Sequence, residues 1–347
     1  MKYIGVDIHK QYFVATVMNQ EGTVETKNRV SMDRASIQAY FKALNGQDDL
    51  KAVMEAGYGW SYFYDQIKEL VQDIKLAHPL KTKAIADARI KTDSIDSEVL
   101  AHLLRADLIP EAYIPDARIR DIKNLIRYRM SLRKISKMLK NMIHAVLDRN
   151  HIEDPGFRGL SDKFGKKGRA YIKAFKLKGT DTRIVRNYLS LLEVIDKRRE
   201  LVEKKIKKLF EGDEICKLLK TIPGIGELSA MVIRYEIGDI ERFPSAKKLC
   251  SYAGLVPSTF ASGGKVHQGR ITKQGNTWLR WILGEIATCA IVKDAWLRSY
   301  CSRVAKRGGR NKARVAVARK LLEIIYKVWK EKRPYYEKPV AVALSIS

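Results

Sequence analysis

Hydrophobic spacing along the first hundred residues alternates between strand and helix periods. Lys2–Ile8, Tyr12–Met18 and Thr23–Val30 are short apolar and β-branched runs, with turn residues in Asn19–Gly22, and they predict three successive strands. A helix is predicted over Ala35–Leu44, a short buried strand over Lys51–Glu55, helical spacing over Tyr62–Val71 and a fifth strand over Asp73–Ala77. After a polar stretch rich in Lys and Asp, Ile95–Leu108 has helical spacing and stops at Ile109-Pro110. The order βββαβαβα, a three-strand meander followed by alternation, is that of an RNase H-like fold.

The pattern changes after residue 110. Leu125, Tyr128, Leu132, Ile135, Leu139, Met142 and Val146 step by three and four residues, as in a heptad seam. A second long helix is predicted over Asp181–Phe210, with Tyr188, Leu192, Ile195, Val202, Ile206 and Leu209 in near-heptad register and Arg199 interrupting them. An antiparallel helical hairpin and an oligomerising coiled coil both satisfy this spacing. Thr221–Gly226 (TIPGIG), followed by an apolar helix, has the spacing of a helix-hairpin-helix. There Gly224 and Gly226 permit a tight turn whose backbone N–H groups can meet a phosphate; a simple turn between packed helices is the alternative. A helix near Ser245–Leu255, a loop over Pro257–Gly269, a helix from Asn276 to Ala295 and a basic helix over Lys312–Lys330 complete the pattern. The expected fold class is α/β plus all-α. Its predicted domains are an RNase H-like domain over 1–110, a helical hairpin or coiled-coil region over 111–212 and a helical C-terminal domain over 213–347.

Charge divides the same way. The chain carries 66 Lys+Arg against 39 Asp+Glu, a net of +27. Residues 1–110 sum to −1, while 111–220 and 221–347 sum to +14 each. A cationic surface spread over more than half the chain points to a polyanionic partner, nucleic acid before membrane. The start, MKYIGVDIHK, lacks the apolar stretch of a secretory signal, and the four cysteines show neither metal-ligand pairing nor a disulfide framework. A cytoplasmic protein is expected.

Four carboxylates stand at telling places. Asp7 ends the first strand, Glu55 ends the fourth, and Asp93 and Asp96 lie three apart at a helix start. In an RNase H-like sheet the ends of strands one and four are adjacent and a later helix packs beside them, so the four would converge. Such a cluster suits hard divalent cations, Mg²⁺ or Mn²⁺. Singly, each has an ordinary explanation as a turn residue or a helix N-terminal charge, and Asp87 is a rival member. Ser262, before Gly263-Gly264, stands ahead of the cations Lys265, Arg270, Lys273 and Arg280. A serine nucleophile on phosphate needs such compensation, although a glycine-serine loop is often only solvated. Tyr58, Trp60, Trp278 and Trp281 could stack on bases, or simply belong to the core.

GVDIHK, VMEAGYGW, KTDSIDSEVLAHLL, TIPGIGELSA, SYAGLVPS, ASGG and GRITKQGNTWLR together resemble the signature blocks of the insertion-sequence 110 family of transposases, in order, from about residue 3 to 290. The resemblance implies a RuvC-like DEDD domain, formed by Asp7, Glu55, Asp93 and Asp96 with Mg²⁺. It also implies long helices and a C-terminal transposase domain whose serine is Ser262, with Ser258 and Ser251 as neighbouring alternatives. Ser97 stands where alanine is expected. Family membership further implies DNA strand exchange through a phosphoserine link at a composite site, a homo-oligomer (dimer or tetramer), and a structured noncoding guide RNA that pairs with donor and target DNA. A hydrolytic RuvC-like nuclease and a DNA invertase are the rival activities.

Overall fold

Lys2–Ile8 (β1), Tyr12–Met18 (β2), Val24–Ser31 (β3), Leu50–Glu55 (β4) and Asp73–Ala77 (β5) form one sheet in the order β3-β2-β1-β4-β5. The meander β1-β2-β3 is antiparallel, and β4 and β5 join it in parallel. This is the RNase H-like arrangement predicted. The computed structural model describes residues 1–44, 49–86, 92–262 and 265–336, with side chains undescribed over 260–268. The chain divides into two units, Met1–Pro115 and Asp116–Ser347.

In the first unit, strand alternation assigns the two faces of the sheet. Ile4, Val6, Ala52 and Met54 pack with Ile37 and Phe41 of α1 (Arg34–Leu44) and with Phe63 and Ile67 of α2 (Trp60–Ile67). Val53 and Ala77 point the other way. They share a second cluster with Leu100, Leu103 and Leu104 of α4 (Asp93–Arg105). The polar stretch before α4 holds a further short helix, α3 (Pro79–Ile85), which apolar periodicity did not mark.

The second unit opens with α5 (Ala117–Arg149), followed by the short α6 (Pro155–Arg158) and α7 (Lys166–Ala174) and the long α8 (Asp181–Glu211). Ile122, Ile126 and Met130 near the start of α5 share a cluster with Val202, Ile206 and Phe210 near the end of α8. Leu139, Ile143 and Val146 share another with Val185, Leu189 and Leu192. The two helices therefore pack antiparallel within the chain. Only half of the predicted α5 seam is in that contact. Leu132, Leu139 and Val146 are buried, whereas Tyr128, Ile135 and Met142 are exposed.

Beyond α8 lie α9 (Glu214–Lys220), α10 (Glu227–Ile237) and α11 (Ala246–Tyr252). Then comes a two-stranded hairpin of β6 (Pro257–Ser262) and β7 (Lys265–Ile271), where the sequence predicts a loop. The helices α12 (Thr277–Lys293) and α13 (Ala295–Glu331) follow, α13 being broken at Gly309, which has φ 80° and ψ 165°. Among the described residues no helix is long and apolar enough to cross a membrane.

Candidate metal centre and serine hairpin

Gly5 sets the height of α4 above the sheet. A Cβ there would overlap the Ser97 carbonyl oxygen and lie 2.5 Å from the Ala101 nitrogen, so only glycine admits this approach. Asp7, two residues on, falls on the same face. Because Ser97 and Ala101 lie over Gly5, the N-terminal turn of α4, with Asp93 and Asp96, lies toward Asp7. Thr92 caps that turn, its hydroxyl accepting from the Ile95 N–H at 3.2 Å. β4 runs parallel to β1 with Gly5 opposite Val53 and Val6 opposite Met54. Glu55 is the next residue along and shares the α4 face with Val53. It is exposed.

His9 joins this group, and sequence spacing did not single it out. Its Nε2 lies 3.0 Å from Asp7 Oδ2 and 3.2 Å from Asp93 Oδ2. The donor atoms of Asp7, His9 and Asp93 all lie within 4.8 Å of one another. Tyr12 donates its hydroxyl to Asp93 Oδ2 at 2.9 Å and stacks on the His9 ring at 4.7 Å, while the Arg29 guanidinium carbon sits 3.6 Å from the Tyr12 ring centre. The motif GVDIHK contained His9; what was missing was a sign that residue 9 continues the face of residues 5 and 7.

Burial pushes the Asp7 carboxyl above its ordinary pKa. The hydrogen-bonded His9 opposes that rise, and Asp93 and Asp96 add to it. Among the described residues none of these three aspartates pairs with a lysine or arginine. Carboxylates facing one another with a single imidazole between them form a donor set that fits a divalent cation. Asp87 lies outside the described residues.

Ser262 ends β6, and its register partner is Lys265. Gly263 and Gly264, and the side chains of Ser262 and Lys265, lie outside what is described. Arg270 and Lys273 are exposed, and Lys273 has φ 55°. Arg280 is half-buried and donates to the Ala253 carbonyl at 3.0 Å, so it braces the root of the hairpin. Ser258 donates its hydroxyl to the Arg270 carbonyl at 3.2 Å. Gly224 takes φ 87°, and a Cβ on it would lie 2.8 Å from the Ala290 nitrogen, so the turn is pressed against α12. Gly226 donates its N–H to the Ser229 hydroxyl at 2.8 Å at the start of α10. Tyr58 is exposed, whereas Trp60 and Trp278 pack against the cores of their units. Trp281 meets Trp278 edge-to-face at 6.2 Å.

Residues 216–302 match the family model described as "Transposase IS116/IS110/IS902 family", and residues 4–152 match the DEDD model of IS110 transposases, described as "Transposase". Over 351 residues, 96% of this chain and 91% of the relative, the protein is 27% identical to the transposase for insertion sequence element IS1111A of Coxiella burnetii. It is 24% identical to a probable family 20 transposase of Pseudomonas aeruginosa over 93% of this chain and 95% of the relative. A pilin gene-inverting protein of Moraxella bovis is 37% identical over 121 residues, 34% of this chain and 38% of the relative. The two models match in turn along one chain that aligns with transposases over most of their length and carries an Asp/His cluster at the end of its central strand; the protein is an enzyme of the IS110/IS116 transposase family.

Proposed function

We propose that this transposase is a site-specific DNA recombinase that mobilises its own insertion element in the cytoplasm, acting as a dimer or tetramer. The observation that carries the proposal is the convergence of Asp7 and Asp93 on the His9 imidazole, with Asp96 near enough to raise the Asp7 carboxyl further, an arrangement that like-charge repulsion disfavours unless a cation is held there. Asp7, Glu55, Asp93 and Asp96, with His9 beside them, are the residues to hold Mg²⁺ or Mn²⁺, which when bound supplies charge stabilisation to phosphoryl oxygens.

Ser262 is the proposed nucleophile. Its oxygen bonds to a DNA phosphorus as the bond to one deoxyribose oxygen breaks, and the serine proton passes to the departing hydroxyl. A hydroxyl from the other duplex then attacks the phosphoserine, forming the new phosphodiester and returning the serine. Each step exchanges one phosphoester for another, so no external energy source is required. Lys265, Arg270 and Lys273, with Arg280 behind them, supply positive charge near the reacting phosphate, and the Gly224–Gly226 turn holds backbone. A structured RNA encoded beside the gene, pairing with donor and target, follows from the family resemblance.

Replacing Ser262 with alanine is expected to abolish strand exchange and the covalent protein–DNA adduct; undiminished recombination by that variant would remove Ser262 from the mechanism. A purely hydrolytic nuclease would form no adduct in the wild-type protein either. Co-purification from cells carrying the native flanks is expected to yield one discrete flank-encoded RNA. Bulk RNA or none would favour direct DNA reading by the basic unit. Similarity to the pilin gene-inverting protein favours one second reading, inversion of a DNA segment by the same chemistry. Product mapping separates the two, since inversion leaves the segment in place and transposition moves it.

A further inference from the structure

Both legs of the serine hairpin are keyed at their root to one buried residue, Glu236 of α10, one through its carboxylate and the other through its main-chain carbonyl. Below the ladder of β6 and β7 the legs remain paired. The Thr272 N–H donates to the Val256 carbonyl at 2.9 Å and the Asn276 N–H to the Tyr252 carbonyl at 2.8 Å. Gly254 (φ 67°) and Gly275 (φ 120°) make that approach, and a Cβ on Gly275 would overlap the Tyr252 carbonyl oxygen. The two residues facing each other at this root, Tyr252 and Asn276, both reach Glu236. Asn276 donates its amide to Glu236 Oε2 at 2.7 Å while its own Oδ1 caps α12 through the Leu279 N–H at 2.9 Å. Tyr252 donates its hydroxyl to the Glu236 carbonyl at 3.1 Å and lies 3.2 Å from the Asn276 amide nitrogen.

The same carboxylate is fastened to α5. Arg127 grips it with two hydrogen bonds, Nε to Oε1 at 2.7 Å and Nη2 to Oε2 at 3.0 Å, and Lys123 Nζ lies 3.1 Å from Oε2. Glu236 is 4% exposed. A buried ion group of this kind contributes little stability over an apolar cluster of the same volume. Its distinctive property is direction, because each donor fixes the angle of the element that carries it.

We infer that Glu236 is the positioning residue of the serine hairpin, its carboxylate holding Asn276 at the root and tying the hairpin's orientation to α5 through Arg127 and Lys123, while its main-chain carbonyl accepts from Tyr252. The inference rests on Ser262 being the nucleophile as far as rate is concerned, but not as far as the hairpin's order is concerned. It therefore calls for two readouts on the full-length protein with its co-purified RNA. The variants are Glu236→Gln, Asn276→Asp, the double exchange Glu236→Gln/Asn276→Asp, and Ser262→Ala as reference.

The first readout is single-turnover formation of the covalent adduct on a nicked duplex that traps it. At saturating DNA, each single exchange is expected to lower the rate constant by about 10–100-fold, the scale of a misplacement near 1 Å. The DNA concentration at half-saturation stays within about twofold and the double exchange restores part of the rate. A merely structural role would reduce the amplitude, the fraction of molecules that react, and leave the rate constant unchanged. The second readout is amide hydrogen exchange. The single exchanges are expected to raise exchange over residues 254–276 while α8 keeps its protection. Full rate constants in the single exchanges, with Ser262→Ala inert, overturn the positioning role and leave the nucleophile in place. Adduct formation by Ser262→Ala overturns the nucleophile instead. In that case unchanged exchange over 254–276 overturns the positioning role and raised exchange upholds it.

Discussion

Burial, together with the facing carboxylates of Asp93 and Asp96, pushes the Asp7 carboxyl above the ordinary carboxylate range, and His9 only partly offsets it. Replacing Asp7 with Asn therefore relieves a strained site. The variant is expected to gain about 0.5–2 kcal/mol in metal-free unfolding, the usual scale when an active-site compromise is removed. It is also expected to lose all DNA cleavage. Thermal unfolding with and without Mg²⁺ checks both points: wild-type protein rises in midpoint with Mg²⁺ and Asp7→Asn does not. Ser97 shows a different constraint. It occupies the place where the family resemblance suggests alanine, and its hydroxyl lies 2.8 Å from that of Thr16, both residues being fully buried. Thr16 faces Gly5 across the β1–β2 ladder, directly under α4. Ser97→Ala leaves the Thr16 hydroxyl without a partner, at an expected cost of about 1–3 kcal/mol. The double exchange Ser97→Ala/Thr16→Val is expected to recover most of that in urea unfolding, and equal losses in both variants would contradict the pairing. Of the residues in the Asp/His cluster, Asp7 and Asp93 were legible in the sequence because a strand end and a helix start are marked by where apolar runs stop. His9 and Tyr12 were not, because their roles depend on how the β1–β2 turn folds back beneath α4.

At the scale of elements, legibility followed the strength of the hydrophobic period. β1, β2 and β5 match their predicted bounds because each is a dense apolar or alternating run closed by turn residues. α3 is short and rich in lysine, so it has no apolar stripe to read. β6 and β7, PSTFAS and KVHQGRI, are a two-stranded hairpin of mixed composition, and their pairing is anchored at the root by Tyr252, Gly254, Gly275 and Asn276. Those contacts join residues more than twenty apart, which no local period reports. The α5 seam shows the opposite limit. Both Leu139 and Met142 fit a 3-4 spacing, yet α8 covers one side of α5, leaving Leu139 5% exposed and Met142 38% exposed. Leu139→Ala is therefore expected to cost about 2–5 kcal/mol. Met142→Ala should change stability by no more than about 0.5 kcal/mol. Chemical unfolding at low protein concentration measures both, and a large loss from Met142→Ala would mean that the predicted seam is the one that holds the fold.

Across the whole molecule, positive charge is concentrated rather than spread evenly. From Ala295 to Leu322 the chain has nine lysines and arginines and no acidic residue. Residues 306–312 are all exposed around the break at Gly309, where a positive φ turns the helix without a packed side chain to hold it. Arg303, Lys306, Arg307, Arg310, Lys312 and Arg314 are exposed and form no ion pair among the described residues, whereas Arg319, Lys320, Lys327 and Lys330 farther along α13 pair with Glu323, Glu331 and Glu241. A cation already matched to a carboxylate releases few counterions from a nucleic acid, so the unmatched group should carry the salt dependence. Exchanging Lys306, Arg307, Arg310 and Lys312 for glutamine is expected to flatten the plot of log affinity against log salt by about 0.7–0.9 for each lost phosphate contact. The effect should be nearly independent of sequence, because phosphate contacts position and do not specify. Exchanging Lys320, Lys327 and Lys330 should leave the slope almost unchanged. Anisotropy titrations over a salt series, with duplex DNA and separately with the co-purified RNA, measure these slopes and show which nucleic acid the elbow holds. Equal slopes for wild type and the four-residue variant on both would place the phosphate contacts elsewhere in the unit, with Arg270 and Lys273 next in line.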